Sequence, residues 1–158
     1  MDKNLDYRYD AYCGLYCGSC EMLKATKKNE LEDVANWKSV GIEGAKCHGC
    51  KTNILYEHCR NCQLKKCAQD KNIDFCIECK EYPCLNLEEF RNNPDYPYHI
   101  EVYDNMQEIK KEGCNQWLNN QKQRWSCPSC GQEFMWYTLK CEKCGEHVSG
   151  YIRPKKKK

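Results

Sequence analysis

Large apolar residues are scarce in this chain: Leu, Ile, Val and Phe supply 24 of its 158 residues, below the share of about 20% at which a globular core is normally built. That scarcity excludes a fold held together mainly by burial. No run approaches the roughly 18 consecutive apolar residues of a membrane helix, so no membrane insertion is expected. The first ten residues, MDKNLDYRYD, show neither an apolar stretch nor a small-residue cleavage pattern, and a cytoplasmic location is therefore expected. Charge of one sign is missing too: 25 Lys and Arg face 23 Asp and Glu, a formal +2. Such balance argues against disorder driven by self-repulsion and against a broad nucleic-acid-binding face. Nor is there a serine–histidine–acid set, a phosphate loop or a carboxylate pair, which ranks an enzyme last among the functional classes.

What the chain has instead is sixteen cysteines. Cross-linking replaces burial, by disulfides or by metal, and the compartment decides between them. In a reducing cytosol, thiols grouped in CxxC pairs read as metal ligands. Cys127-Pro-Ser-Cys130 followed by Cys141-Glu-Lys-Cys144 is the strongest single motif, two pairs at the spacing of a four-cysteine zinc site. Each pair is followed by a glycine, Gly131 or Gly145, where a metal knuckle needs positive φ. Between the pairs, Phe134-Met135-Trp136-Tyr137 has the β-propensity of a hairpin strand. A zinc-ribbon β-hairpin is expected over residues 125–152.

The remaining clusters lie in the N-terminal half. Cys13, Cys17 and Cys20 form CxxxCxxC, with Gly14 and Gly18 interleaved. Residues 41–84 then carry Cys47, Cys50, Cys59, Cys62, Cys67, Cys76, Cys79 and Cys84. That density is expected to leave little regular structure. Cys59, Cys62 and Cys67 share the CxxCxxxxC spacing of Cys76, Cys79 and Cys84, which suggests equivalent turns around equivalent ions. Spacing allows one site of Cys47, Cys50, Cys59 and Cys62 and a second of Cys67, Cys76, Cys79 and Cys84, although interleaved ligation would use the same residues. The first cluster then wants a fourth ligand, for which Cys114, His48, His58 or an external molecule are the candidates. Its spacing is also that by which radical S-adenosylmethionine enzymes hold an open [4Fe-4S] cluster, but those need alternating strands and helices over a longer chain. A non-radical [4Fe-4S] cluster in this half remains an alternative to zinc, since all-thiolate sets suit both.

Helical periodicity runs through residues 21–40, with Met22, Leu23, Leu31, Val34, Ala35 and Trp37 as packing residues and a break near Lys28-Asn29. A short helix is expected at 86–92 and a turn at 93–97. A longer linker helix is expected at about 98–122, with Ile100, Tyr103, Met106, Ile109, Gly113 and Trp117 on one face. The expected architecture is thus a small metal-stabilised α+β fold. It comprises an irregular cysteine-rich lobe with short helices (1–97), a linker helix (98–124), a zinc ribbon (125–152) and a basic tail (153–158).

Cys13-Gly-Leu-Tyr-Cys17-Gly-Ser-Cys20, Cys47-His-Gly-Cys50, Cys59-Arg-Asn-Cys62 with Lys66-Cys67-Ala68, and Cys76-Ile-Glu-Cys79-Lys-Glu-Tyr-Pro83-Cys84 closely resemble the DUF3795 family. That family is small, cysteine-rich and of unknown function. The resemblance covers about residues 12–92, implies metal ligation by those eleven cysteines and supplies no reaction; the ribbon reads as an appended module. If every site were a four-thiolate zinc, each would carry roughly −2, and four of them would turn the formal +2 into about −6. The function expected is a multi-metal, mainly zinc, protein-interaction or regulatory module, with Trp125, Trp136 and Tyr137 suited to a protein partner and the lysine tail to nucleic acid. The alternative is an iron–sulfur protein in electron transfer or redox sensing, with its cluster on Cys13, Cys17 and Cys20.

Overall fold

The computed structural model describes residues 7–32 and 41–155. Val34, Ala35 and Trp37, and the last three lysines of the tail, lie outside the described residues. Seven α-helices can be followed: α1 (Glu21–Lys28), α2 (Ile42–Ala45), α3 (Glu57–Arg60), α4 (Gln63–Asp70), α5 (Leu85–Arg91), α6 (Val102–Glu112) and α7 (Cys114–Arg124). Short 3-10 turns occupy Cys17–Ser19, Cys76–Glu78 and Pro97–Glu101. Among the described residues no helix is long and apolar enough to cross a membrane.

The expected β-hairpins are absent. Among the described residues there is no strand, only isolated bridges such as Ser126–Glu133 and Lys140–His147. The segment expected as a hairpin strand spends its backbone groups singly. Trp136 N–H donates to Ser19 O, Trp136 O accepts from Tyr151 N–H, and Thr138 N–H closes a turn on Met135 O. Three different partners leave no ladder for a strand.

The expected linker helix is two helices packed on each other, broken at Gly113 (φ +89°). Their core faces follow helical spacing: Val102, Met106 and Ile109 on α6, Trp117 and Gln121 on α7. Gln121 donates to Asn105 and accepts from the Trp125 indole, and Asn105 donates to Gly14 O. This buried polar chain ties the C-terminal cysteines' segment to the first cysteine motif through both helices. The stretch 41–84, expected to be irregular, contains α2 to α4; α4 buries Leu64 and Ala68, one helical turn apart. Helices α1, α4 and α5 each start directly after a cysteine, whose carbonyl accepts the first helical bond: Cys20 from Lys24, Cys62 from Lys66, Cys84 from Glu88.

With few aliphatic residues, the main core is aromatic: Tyr16, Phe75, Trp117, Trp125, Phe134 and Trp136, with Met106 and Ile109. It draws on the first cysteine motif, both long helices and the C-terminal segment. Two smaller cores lie beside it. One joins Met22, Ala25, Leu31, Ala45 and Cys47; the other joins Ala11, Cys13, Leu64, Leu87 and Val102.

Candidate metal centre

The C-terminal site is built from two nearly identical turns. In the first, Gly131 N–H donates to Cys127 O and Cys127 N–H to Gln132 O; in the second, Gly145 N–H donates to Cys141 O and Cys141 N–H to Glu146 O. Gly131 and Gly145 take φ of +80° and +79°, which a side chain would disfavour. The turns face each other so that the sulfurs of Cys127, Cys130, Cys141 and Cys144 all lie within 4.8 Å of one another. Cys127 Sγ is 3.6 Å from Cys144 Sγ, and Cys130 Sγ is 3.5 Å from Cys141 Sγ. A tetrahedral ion with zinc–sulfur bonds of about 2.3 Å spaces its sulfurs about 3.8 Å apart, so the four thiols fit zinc. The Cys144 amide, then that of Lys143, holds the Cys141 thiol low, at about 6. The Glu146 amide favours the Cys144 thiolate, but hydrogen bonds with the other three sulfurs outweigh it and raise that thiol to about 12.

The eleven N-terminal cysteines neighbour one another more loosely. Among the described residues, no second group of three ligand atoms gathers within 4.8 Å. Cys13, Cys17 and Cys20 pack differently: Cys20 lies against the core that contains Cys47, Cys17, Cys50, Cys62, Cys76 and Cys84 lie against the core that contains Cys13, and Cys20 and Cys76 also touch the main aromatic core. Backbone amides point at these sulfurs. Cys17 accepts from Cys50, Cys20 from Leu23 and Met22, Cys47 from Tyr56 and Gly49, and Cys50 from Tyr12. Gly49 has φ +124°, and a Cβ there would sit 1.9 Å from Arg8 O, so the Cys47–Cys50 turn requires glycine. Sequence reasoning missed these amide donors, because they come from residues whose side chains carry no signal.

Burial pushes the thiols of Cys13, Cys17 and Cys59 far up, those of Cys20 and Cys76 up to about 12, and that of Cys50 to about 11. Cys79 is different: half-buried, it accepts from Lys71 Nζ at 3.0 Å and is held low by that ammonium. Thiols that keep their protons must release them to bind an ion, so loading is coupled to proton release.

The candidate extra ligands have other neighbours. The Cys114 thiol is hydrogen-bonded to Asp10 and lies near Lys51 and Arg8. His48 stacks on Tyr7 with ring centres 4.2 Å apart, its Nδ1 buried without a hydrogen-bond partner. His58 tilts against Tyr56. No sequence pattern marks Asp10 and Lys51, an ion pair at 3.0 Å whose side chains are 4% and 6% exposed. Burial penalises the Asp10 carboxylate, but hydrogen bonds from Arg8 and Lys51 outweigh this and hold its pKa below the usual range.

Fold and site together define a small helical, cysteine-rich protein with a four-thiol centre able to hold a metal ion. Residues 9–89, just over half the chain, match the DUF3795 family, described as proteins of unknown function, and the chain belongs to that family. The match stops short of the C-terminal four-cysteine segment. No curated protein and no solved structure matches the chain.

Proposed function

We propose that this protein is a multi-metal, mainly zinc, binding module of a reducing compartment whose ions are structural and whose surface engages another protein. The observation that carries this reading is the spacing of the four C-terminal sulfurs, all within 4.8 Å. Four protein thiolates close a tetrahedral site and leave no open position for water or substrate, which catalytic zinc requires. Support for a protein partner comes from the C-terminal segment, where Leu139 (46% exposed) and Ile152 (77%) present apolar surface on a metal-held scaffold.

The second reading, an iron–sulfur protein, draws its support from the looser N-terminal thiols, an all-sulfur environment partly withdrawn from solvent. The separate packing of Cys13 and Cys20 counts against a cluster held by Cys13, Cys17 and Cys20 alone.

Anaerobic purification followed by visible absorption and by zinc, iron and sulfide analysis tests both. A colourless protein with about four zinc ions per chain is the expected result. A brown protein with iron and sulfide in excess of zinc would overturn the structural-zinc reading in favour of the cluster.

A further inference from the structure

Backbone hydrogen bonds tie the C-terminal segment down at Gly150, whose N–H donates to Thr138 O, and at Tyr151, whose N–H donates to Trp136 O. Ile152 then stands 77% exposed. Arg153 nevertheless turns back onto the body of the protein. Its guanidinium meets the Glu21 carboxylate twice, Nη2 to Oε2 at 3.0 Å and Nη1 to Oε1 at a looser 3.5 Å, and lies over the Tyr137 ring, 4.1 Å from its centre. A planar fork against a carboxylate and a flat cation against an aromatic face are the two contacts that recognise a guanidinium. A lysine ammonium, a point charge, cannot match the first of them.

Three parts of the fold build this slot, and each is held by packing of its own. Glu21 is the first residue of α1, where the helix N-terminus favours a charged carboxylate. Tyr137 comes from the C-terminal segment, and the ring of Tyr98, in the 3-10 turn Pro97–Glu101, meets it edge-on at 5.6 Å. Tyr98 is fixed by stacking on Trp136 at 3.7 Å, and the Tyr96 ring lies 6.3 Å beyond it, 42% exposed. The slot is thus one anchored carboxylate beside a run of three phenol rings that opens to solvent at Tyr96.

We propose that this slot recognises an arginine-bearing segment of a protein partner, and that Arg153 occupies it as the chain's own stand-in. This deepens the protein-interaction reading above and rests on it. The seated Arg153 shows which chemistry the slot accepts, and the Glu21 carboxylate repels phosphate, so nucleic acid is not its occupant. Exchange is cheap, because the side chains of Arg153 and Glu21 are 37% and 16% exposed and a solvent-reached ion pair is screened by salt. The tail competes as a tethered ligand at an effective concentration of the order of millimolar. A partner's arginine therefore binds with an affinity reduced by the share of molecules in which Arg153 fills the slot. No bond is made or broken and no proton moves.

A synthetic acetyl-Gly-Arg-Pro-Lys amide, titrated into the full chain while the NMR signals of Glu21 and Tyr137 are followed, tests this. Arg153→Ala empties the slot and is expected to bind the peptide about two- to tenfold more tightly than the wild-type protein, with both residues shifting. The same peptide carrying citrulline in place of arginine keeps the shape without the charge and should leave them unmoved. Adding Glu21→Gln to Arg153→Ala should abolish the shifts. No binding by Arg153→Ala at millimolar peptide, or shifts that survive citrulline or Glu21→Gln, would overturn the proposal and leave Arg153 as a strap for the tail. Zinc measured in the same samples keeps the two readings apart. A protein that carries zinc but fails these arms loses only the slot, and one that passes them without zinc keeps the slot and loses the structural-zinc reading.

Discussion

At the C-terminal end two glycine-closed turns bring four sulfurs within 4.8 Å, and each turn satisfies its own backbone before any ion arrives. At the N-terminal end eleven cysteines are spread over two helices, two 3-10 turns and the loops and caps between them, and among the described residues no three of their sulfurs come that close. The difference is one of contact range. A CxxC turn is a local object, so two such turns with few residues between them meet with little loop-closure cost. The N-terminal sulfurs depend on tertiary packing instead: Cys17 neighbours Cys50, and Cys59 neighbours Cys20, residues more than thirty positions apart in the chain. The lesson is that motif spacing foretells which sulfurs gather only where the motifs are local.

The sharpest way to break this comparison is to remove the local site alone. Cys130→Ser should cost one metal ion per chain, and a structural zinc is worth on the order of 10 kcal/mol of binding free energy. Trp125, Phe134 and Trp136 flank that site and share a core with Trp117 and Tyr16. Metal loss is therefore expected to lower the melting temperature of the whole protein and to shift tryptophan fluorescence to the red. If only one ion were lost and melting stayed unchanged, the aromatic core would stand without its C-terminal ion and the two ends would be energetically separate.

How much of this was legible in the sequence follows the same division. Cys127, Cys130, Cys141 and Cys144, with Gly131 and Gly145 at positive φ, could be read directly because turn chemistry is local. The strand expected at Phe134–Tyr137 could not, since β-propensity reports a fit to a half-buried surface and here that surface is an aromatic core contacted by single hydrogen bonds rather than a neighbouring strand. The break at Gly113 was hidden by apolar periodicity that carries on through it from Ile109 to Trp117. In the cysteine-dense stretch, Leu64 and Ala68 were the only apolar residues marking the buried face of α4, too few to signal a helix beside so many candidate ligands. The pairing of Asp10 with Lys51 joins residues far apart in the chain, which no local pattern records.

That ion pair offers a second, smaller probe, now of the N-terminal end. Lys51 Nζ lies 3.8 Å from the centre of the Phe75 ring and 4.8 Å from that of Tyr12, as well as against Asp10. Lys51→Ala strands a buried carboxylate with Arg8 as its remaining cation, and breaking a buried pair this way costs about 3–5 kcal/mol. Denaturant unfolding of the metal-loaded protein should show that loss, and the Asp10→Asn, Lys51→Ala double variant should recover part of it by removing the unpaired charge. A single-variant loss below about 1 kcal/mol would mean that the pair behaves as a surface salt bridge and that the thiol centres alone order this end.

The joint between the two ends can be tested through pH. His99 stacks on Phe90 with ring centres 3.8 Å apart, and its Nδ1 lies 2.9 Å from Phe90 O. Its neighbour Tyr98 stacks on Trp136 at 3.7 Å, so the pair bridges α5 to the C-terminal segment. Burial lowers the His99 pKa from 6.5 to about 4. A pKa depressed in the fold means that the unfolded chain takes up the proton first as pH falls. The stabilisation is complete above about 6.5 and is lost between there and about 4, by about 3 kcal/mol in all. Thiolate protonation strips metal over part of the same interval, so the informative quantity is the difference between the stability curves of the wild-type protein and His99→Phe, which keeps the stacking and removes the titration. That difference should shift steadily in favour of the variant from pH 6.5 down to 4. A difference that stays constant across the interval would show that His99 titrates as it does in the unfolded chain, and that acid acts on this protein through its thiols alone.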